Sequence, residues 1–246
     1  MLNIRFPVPV EDRPLVFFLA AEEYLARNSD EDCFLLWQVG PTVIFGRNQV
    51  MEAEVNVPFC REHGIRMFRR KSGGGCVYAD SGNLMISAVS SGNDKPFIFE
   101  KFISALALAL RRQGFDAWPS GRNDILVSGR KVSGSAFYSI GSRNIIHATL
   151  LCDVNLDMMQ NAVTPPPEKL RKKGIASVRQ RVENLSAFSP ADIAVIRESL
   201  AGFFCDGERL LSDTDIGNIE RIAESYMDDN FILYGKISHK NDDRNI

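Results

Sequence analysis

Between residues 34 and 152 the chain passes through a series of short apolar segments, most of them separated by turn residues and not by helices. Segments 34–39 and 42–45 flank Gly40-Pro41, and 65–70 follows a break at Gly64. Segments 76–78 and 84–89 flank Asp80-Ser81-Gly82-Asn83; 124–127, 131–137 and 144–152 come later, again with glycines between them. Glycine and proline at this spacing mark strand ends. One long helix, 96–113, interrupts the series and stops at Gly114. Helices are also expected over 15–28, before Gly64, from the Ser189-Pro190-Ala191-Asp192 cap to about 204, and from Ser212 to about 226. A doubly wound parallel fold would follow nearly every strand with a helix. This chain does not, so the predicted class is α+β: a mixed, largely antiparallel sheet flanked by helices. Segment 165–185 opens on Pro165-Pro166-Pro167 and lacks periodicity, as a long functional loop would. No repeat or linker divides the chain, so 1–246 is expected to be a single domain with a core over about 15–235 and a polar tail from 238.

Composition removes several function classes. The net charge is −2 and no basic block dominates, which argues against a nucleic-acid partner. No stretch approaches the ~18 consecutive apolar residues of a membrane span. The N-terminus lacks the basic-then-apolar layout of a signal peptide. Five scattered cysteines without a C-x-x-C pair, and only three histidines, predict reduced thiols in a cytoplasm and no zinc site.

Four segments carry chemistry. In Arg69-Arg70-Lys71-Ser72-Gly73-Gly74-Gly75-Cys76, three bare residues let a ligand lie against main-chain N–H groups, and Arg70 offers a planar cation. Alone, this is also how a plain turn after a strand reads. In Asn123-Asp124 and Lys131-Val132-Ser133-Gly134-Ser135, regular strand alternation puts Lys131, Ser133 and Ser135 on one face, a donor set suited to an anion or a polarised carbonyl. An exposed strand with a solvated lysine has the same pattern. His147-Ala148-Thr149-Leu150-Leu151 is a strand with one histidine, and 173–185 is a basic loop.

In this order and spacing the four segments resemble the catalytic domain of lipoate–protein ligase A. The pattern R-R-x-S-G-G-G, then an aspartate and G-N, is met by 69–75, Asp80 and Gly82-Asn83. N-D is met by Asn123-Asp124, G-[RK]-K-[IV]-S-G-S-A by 129–136, H-x-T-L-L by 147–151, and K-G-I-x-S-V-x-x-R-V-x-N-L by 173–185. The resemblance runs from about 15 to 235. It implies the fold shared with biotin–protein ligases, ATP and Mg2+ as cofactors, and lipoate as substrate. It implies lipoyl-domain acceptors as partners, such as 2-oxoacid dehydrogenase E2 subunits and the glycine cleavage H protein. Lys131 would be catalytic. Arg70, Ser72, Gly73, Gly74, Gly75, Cys76, Val77, Tyr78, Asn83, Asn123, Asp124, Ser133, Gly134, Ser135, His147 and Thr149 would bind the adenylate and the acyl group, with Asp124 also near magnesium. Leu19, Trp37 and Phe45 are candidates for an acyl channel, and each also reads as core.

Two departures qualify the resemblance. Ala79 stands where many relatives have a histidine. Larger members continue into a small C-terminal domain beyond the region of Tyr234-Gly235-Lys236. The resemblance then implies a chain that needs a small accessory protein, activates without one, or transfers a pre-formed adenylate. Two rival readings stand beside it. One is an octanoyl or lipoyl transferase working through a thioester on Cys76 or Cys152. The other is a subunit that binds lipoyl adenylate without turnover.

Overall fold

The computed structural model describes residues 1–7, 9–10, 12–121, 123–164, 181–190 and 192–235. Helix α1 (Leu15–Asn28) forms where the apolar spacing predicts it, and every residue from Leu15 to Ala26 is buried. Around it lies an 8-stranded sheet in the order β11-β1-β2-β6-β10-β9-β8-β7. Its strands are β1 (Leu2–Arg5), β2 (Cys33–Trp37), β6 (Asn83–Ser91), β7 (Ala117–Ser120), β8 (Asp124–Val127), β9 (Arg130–Ile140), β10 (Arg143–Leu151) and β11 (Gly207–Leu210). Only β1 pairs in parallel, with β11 and β2; the other neighbours are antiparallel. A second sheet of 3 strands has the order β4-β3-β5, from β3 (Thr42–Phe45), β4 (Arg66–Arg69) and β5 (Cys76–Ala79). The mixed, largely antiparallel sheet expected from the sequence is therefore the observed one.

Each face of the large sheet has its own core. On one side α1 packs with α7 (Asp213–Tyr226) and α8 (Asp229–Tyr234), around Phe17, Phe18, Leu25 and Trp37. On the other, α4 (Lys95–Arg112) and α6 (Ile193–Phe204) cover Phe34, Ile86, Ile125, Val132 and Leu150. A third core joins the small sheet to α2 (Met51–Glu54), α3 (Val57–Glu62) and α5 (Leu156–Ala162). Asp94 and Ser212 cap α4 and α7 through their side chains, and Ser212 completes a capping box with Asp215. Among the described residues no helix is long and apolar enough to cross a membrane.

Three short strands were not expected: β1, β7 and β11. Each has four residues, and β7 contains Pro119, which an edge strand tolerates. The short helices α5 and α8 were also missed. Of the expected loop 165–185, residues 165–180 lie outside the described residues. Residues 181–183 run along β9: Val182 bridges Lys131 in parallel, Lys131 N–H donates to Arg181 O at 2.9 Å, and Glu183 N–H donates to Lys131 O at 3.0 Å.

Candidate active site

The small sheet and the β8–β9–β10 end of the large one face each other across a cavity of about 260 Å³. Its apolar lining includes Leu19, Trp37, Ile44 and Met85 of the first core and Met159 of the third, and its polar lining includes Asn123, Asp124, Lys131 and Arg181. Leu19 and Trp37 line it as expected, but Phe45 does not. Successive strand residues point to opposite faces. On β3 this gives Ile44 to the cavity and sends Phe45 to the third core, beneath the Arg69 guanidinium at 4.8 Å.

The glycine-rich loop forms one wall. Gly74 has φ +94°, and a Cβ there would meet Arg70 Nη2 at 2.7 Å, so a side chain is excluded twice over. Arg70 is buried, and its guanidinium serves the loop itself. Nε donates to Ser72 Oγ (3.1 Å) and Gly73 O (3.2 Å), Nη1 to Ile44 O (3.1 Å), and Nη2 to Gly73 O and Gly75 O (both 2.8 Å). Burial lowers its pKa to about 10. The sequence suggested a cation aimed at a ligand anion. Arg70 lines the cavity together with Gly74 and Gly75, and the hydrogen bonds of its guanidinium go to the loop. Arg69 does the same one layer down, donating to Gly46 O, Arg47 O, Gln49 O, Ile232 O and Leu233 O.

On the opposite wall Lys131 Nζ lies 2.7 Å from Asp124 Oδ1, and the Arg181 guanidinium pairs with Asp124 Oδ2. Burial lowers the Lys131 pKa, and the Asp124 carboxylate opposes that shift. The lysine reaches Asp124 because Gly134 leaves room: a Cβ on Gly134 would sit 2.7 Å from Lys131 Nζ. Asn123 ties this corner to β9, donating from Nδ2 to Ser135 O (2.9 Å) and accepting from Ser135 N–H at its own carbonyl (2.8 Å).

The expected shared face of Lys131, Ser133 and Ser135 is wrong. Ile125 pairs with Ser133 while the adjacent Leu126 pairs with Lys131, which leaves Val132 as an extra, bulged residue. One inserted residue exchanges the faces. Ser133 is in register with Ile125 and Leu150, and Ser135 with Ala148, all members of the α4/α6 core. Lys131 keeps the other face, with Asp124, Gly134 and Thr149. The Ser133 and Ser135 hydroxyls are buried and have no hydrogen-bond partner among the described residues. Ser135 still contributes to the cavity wall, as do Cys76, Val77, Tyr78, His147 and Thr149; Ser133 does not. Asn83 also misses the wall: it lies behind Met85, donating from Nδ2 to Met85 Sδ at 3.2 Å. Ser72 is fully buried behind the loop.

The lipoyl protein ligase A/B catalytic-domain model matches residues 15–204. The chain belongs to this family. It is 38% identical over 214 residues to lipoate–protein ligase 1 of Staphylococcus aureus, covering 83% of this chain and 65% of that one. It is 38% identical over 204 residues to a lipoate–protein ligase of Bacillus subtilis, covering 82% and 60%. The chain thus spans somewhat less than two thirds of the length of these curated relatives. In structure it is similar to a bi-partite lipoate protein ligase of Thermoplasma acidophilum, described together with its E2 lipoyl domain: TM-score 0.81, 27% identity, 94% of this chain and 95% of that one.

Within this lipoyl protein ligase A/B catalytic domain, sequence reasoning missed three cavity or near-cavity groups. Arg181 lies inside a quoted motif, yet no spacing rule places it on Asp124. Glu54 lines the cavity, with its carboxylate 3.8 Å from where a Gly75 Cβ would be. Glu22 is fully buried on α1 and accepts from His147 Nδ1 at 3.1 Å. Here a signal did exist: two adjacent acids interrupt an otherwise apolar helix. Magnesium fits poorly as placed. Both Asp124 oxygens already face cations, and the described residues hold no cluster of three metal-ligating side chains.

Proposed function

We propose that the chain is the catalytic domain of a lipoate–protein ligase: it activates lipoate with ATP to lipoyl-AMP and passes the acyl group to a lysine of a lipoyl-domain protein. The observation that carries this reading is the polarity of the cavity. The apolar wall of Leu19, Trp37, Ile44 and Met85 suits a medium-length acyl chain, and two cations sharing one aspartate suit its carboxylate. Small-ligand sites typically begin near ~300 Å³, so a cavity of this size fits a small acid. The names of the relatives agree with it.

In the first half-reaction a carboxylate oxygen attacks the α-phosphorus of ATP and pyrophosphate leaves. Both reactants are anionic. Lys131 and Arg181 carry two positive charges against the single charge of Asp124, and the surplus offsets the repulsion. In the second half-reaction the acceptor amine attacks the mixed anhydride and AMP leaves. Lys131 then donates to the developing oxyanion, while the neutral N–H groups of Gly74 and Gly75 are free of side chains that would hold a phosphate away. No step is assigned to a metal.

The thioester alternative has one point in its favour, since Cys76 lines the cavity. Its chemistry is against it. Burial, with the Glu54 carboxylate nearby, pushes the Cys76 thiol up to about 12, and burial does the same to Cys152 in the α4/α6 core. A thiol at that value is almost wholly protonated at neutral pH.

ATP–pyrophosphate exchange with lipoate, octanoate and biotin tests the reading, with transfer to a lipoyl domain as its second stage. Both are run with and without the other part of the archaeal bi-partite ligase. Exchange with lipoate or octanoate, but not biotin, is expected. An acyl adduct on cysteine without exchange would replace the ligase by the transferase.

A further inference from the structure

A carboxylate enclosed in an apolar helix needs a reason, because burying it is costly unless every lone pair finds a donor. Helix α1 carries two side by side. Glu23 is accounted for by Lys71, Arg27 and the Tyr226 hydroxyl. Glu22 is fully buried, and among the described residues no lysine or arginine forms an ion pair with it. Its donors are the Ser87 hydroxyl at Oε1 and His147 Nδ1 at Oε2.

Those two contacts belong to a longer chain. Trp37 Nε1–H donates to Ser87 Oγ at 2.9 Å, and Trp37 itself lines the cavity. Ser87 O–H donates to Glu22. On its other side Glu22 accepts from His147 Nδ1. His147 Nε2 lies 2.6 Å from Ser72 Oγ, and Ser72 Oγ accepts from Arg70 Nε. The direction of each bond follows from its neighbours. A carboxylate only accepts, so Nδ1 must carry a proton. In a neutral ring Nε2 then accepts, which turns the Ser72 O–H toward His147 and leaves Ser72 lone pairs for Arg70. With that one tautomer every atom of the chain has a partner of the opposite sense. With the other, Nδ1 and the carboxylate face each other as two acceptors.

We propose that Glu22 is a positioning residue of the active site: by fixing the tautomer of His147 it sets the Ser72 hydroxyl, and through Ser72 and Arg70 the glycine-rich loop. Glu22 touches no substrate in this scheme. The ligand assigned to the loop rests on the ligase reading above; the tautomer and the order of the loop do not.

Three readouts test it in the full chain. The first is the 15N spectrum of histidine-labelled protein, with His147 identified by its loss in His147→Gln. The second is amide exchange at Gly73, Gly74 and Gly75. The third is calorimetry with octanoyl-sulfamoyl adenosine, a non-hydrolysable adenylate analogue. Wild type is expected to show the Nδ1–H tautomer. Glu22→Gln, whose amide can donate where the carboxylate accepted, is expected to lose that pure tautomer. Loop exchange should then rise, and analogue affinity fall, by at least about tenfold, the scale of a lost hydrogen bond to a charged group. Adding Ser72→Ala to Glu22→Gln should cost nothing further, because both cut one chain.

A wild-type His147 in the Nε2–H form overturns the proposal. So do fully additive losses, or an unchanged loop in a folded Glu22→Gln. If Glu22→Gln fails to fold, Ser72→Ala cuts the same chain at the loop end. Unchanged loop exchange there overturns the proposal equally. If wild type does not bind the analogue, the ligase reading fails, and the spectrum and the exchange data still decide the role of Glu22.

Discussion

The two polar walls of the cavity use cations in opposite ways. In the glycine-rich loop Arg69, Arg70 and Lys71 are committed to the protein itself: Arg69 and Arg70 to main-chain carbonyls, Lys71 to Glu23 at 2.7 Å. That wall borders the cavity with the bare backbone of Gly74 and Gly75, the committed Arg70 guanidinium and the Glu54 carboxylate. Across the cavity Lys131 and Arg181 share the single carboxylate of Asp124. That wall presents net positive charge. A positive residue beside a cavity is therefore no evidence of its job. The carbonyls around it decide whether it shapes the site or faces the ligand.

The sharpest way to break this comparison is Lys131→Ala. If Lys131 faces the ligand, transfer from synthetic lipoyl adenylate should fall by ~1,000-fold, the scale of a missing oxyanion donor, with the thermal midpoint little changed. Transfer within twofold of wild type, or a protein that no longer folds, would return the lysine to a structural role.

Gly74→Val tests the other wall, where backbone is held to do the binding. The valine would need φ near +94° and would press on Arg70 Nη2. Analogue affinity is expected to drop by about 100-fold, the equivalent of ~3 kcal/mol of backbone strain and lost contact. Calorimetry giving the wild-type constant would reduce the loop to a turn.

Arg70→Lys sharpens the comparison from the stability side. A lysine keeps the charge but not the planar fork that reaches Ile44 O, Gly73 O and Gly75 O together. A loss of ~2–4 kcal/mol in denaturant unfolding is expected, from carbonyls and a charge left short of partners. An unchanged midpoint with lost ligand affinity would make Arg70 a ligand contact after all.

The facing lysine should also announce itself in the pH profile. Burial lowers its pKa from the ordinary 10.5. The charged form is the active one, so kcat/KM should hold on the acid side of that lowered pKa and fall as pH rises through it. The alkaline limb therefore begins below the ordinary lysine range. Lys131→Arg, which stays charged, should abolish the limb even where it slows the reaction. The smallest effect is expected from Cys76→Ser with Cys152→Ser. Transfer from lipoyl adenylate should stay within a few-fold, since neither thiol, held near 12, is in use. A loss of ~1,000-fold in the folded variant would restore the thioester route.

The sequence made much of this visible, and its failures have particular causes. Helix α1 and the hairpin strands β9 and β10 were legible because their apolar spacing and glycine punctuation are local properties. The motif order located both polar walls. Faces were not legible where alternation breaks. Nothing in Lys131-Val132-Ser133 announces that Val132 is extra, so the serines were assigned to the wrong side. Strands of four residues such as β1 and β11 carry too little pattern to separate from loop. Contacts between distant positions, such as Arg181 with Asp124, have no local trace at all. For Arg70 the residue type is visible in the sequence, and it does line the cavity, but its carbonyl partners are not legible there.

Arg69 has a consequence for how the protein is made. Its guanidinium is fully buried, and two of its five acceptors, Ile232 O and Leu233 O, lie 163 and 164 residues further along the chain. During synthesis the base of the glycine-rich loop must wait for them. At typical translation speeds that delay is on the order of ten seconds. A nascent chain stalled before residue 232 would hold a nearly complete sheet and an unfinished glycine-rich loop. The two polar walls would then mature at different times on the ribosome, the Lys131 wall first.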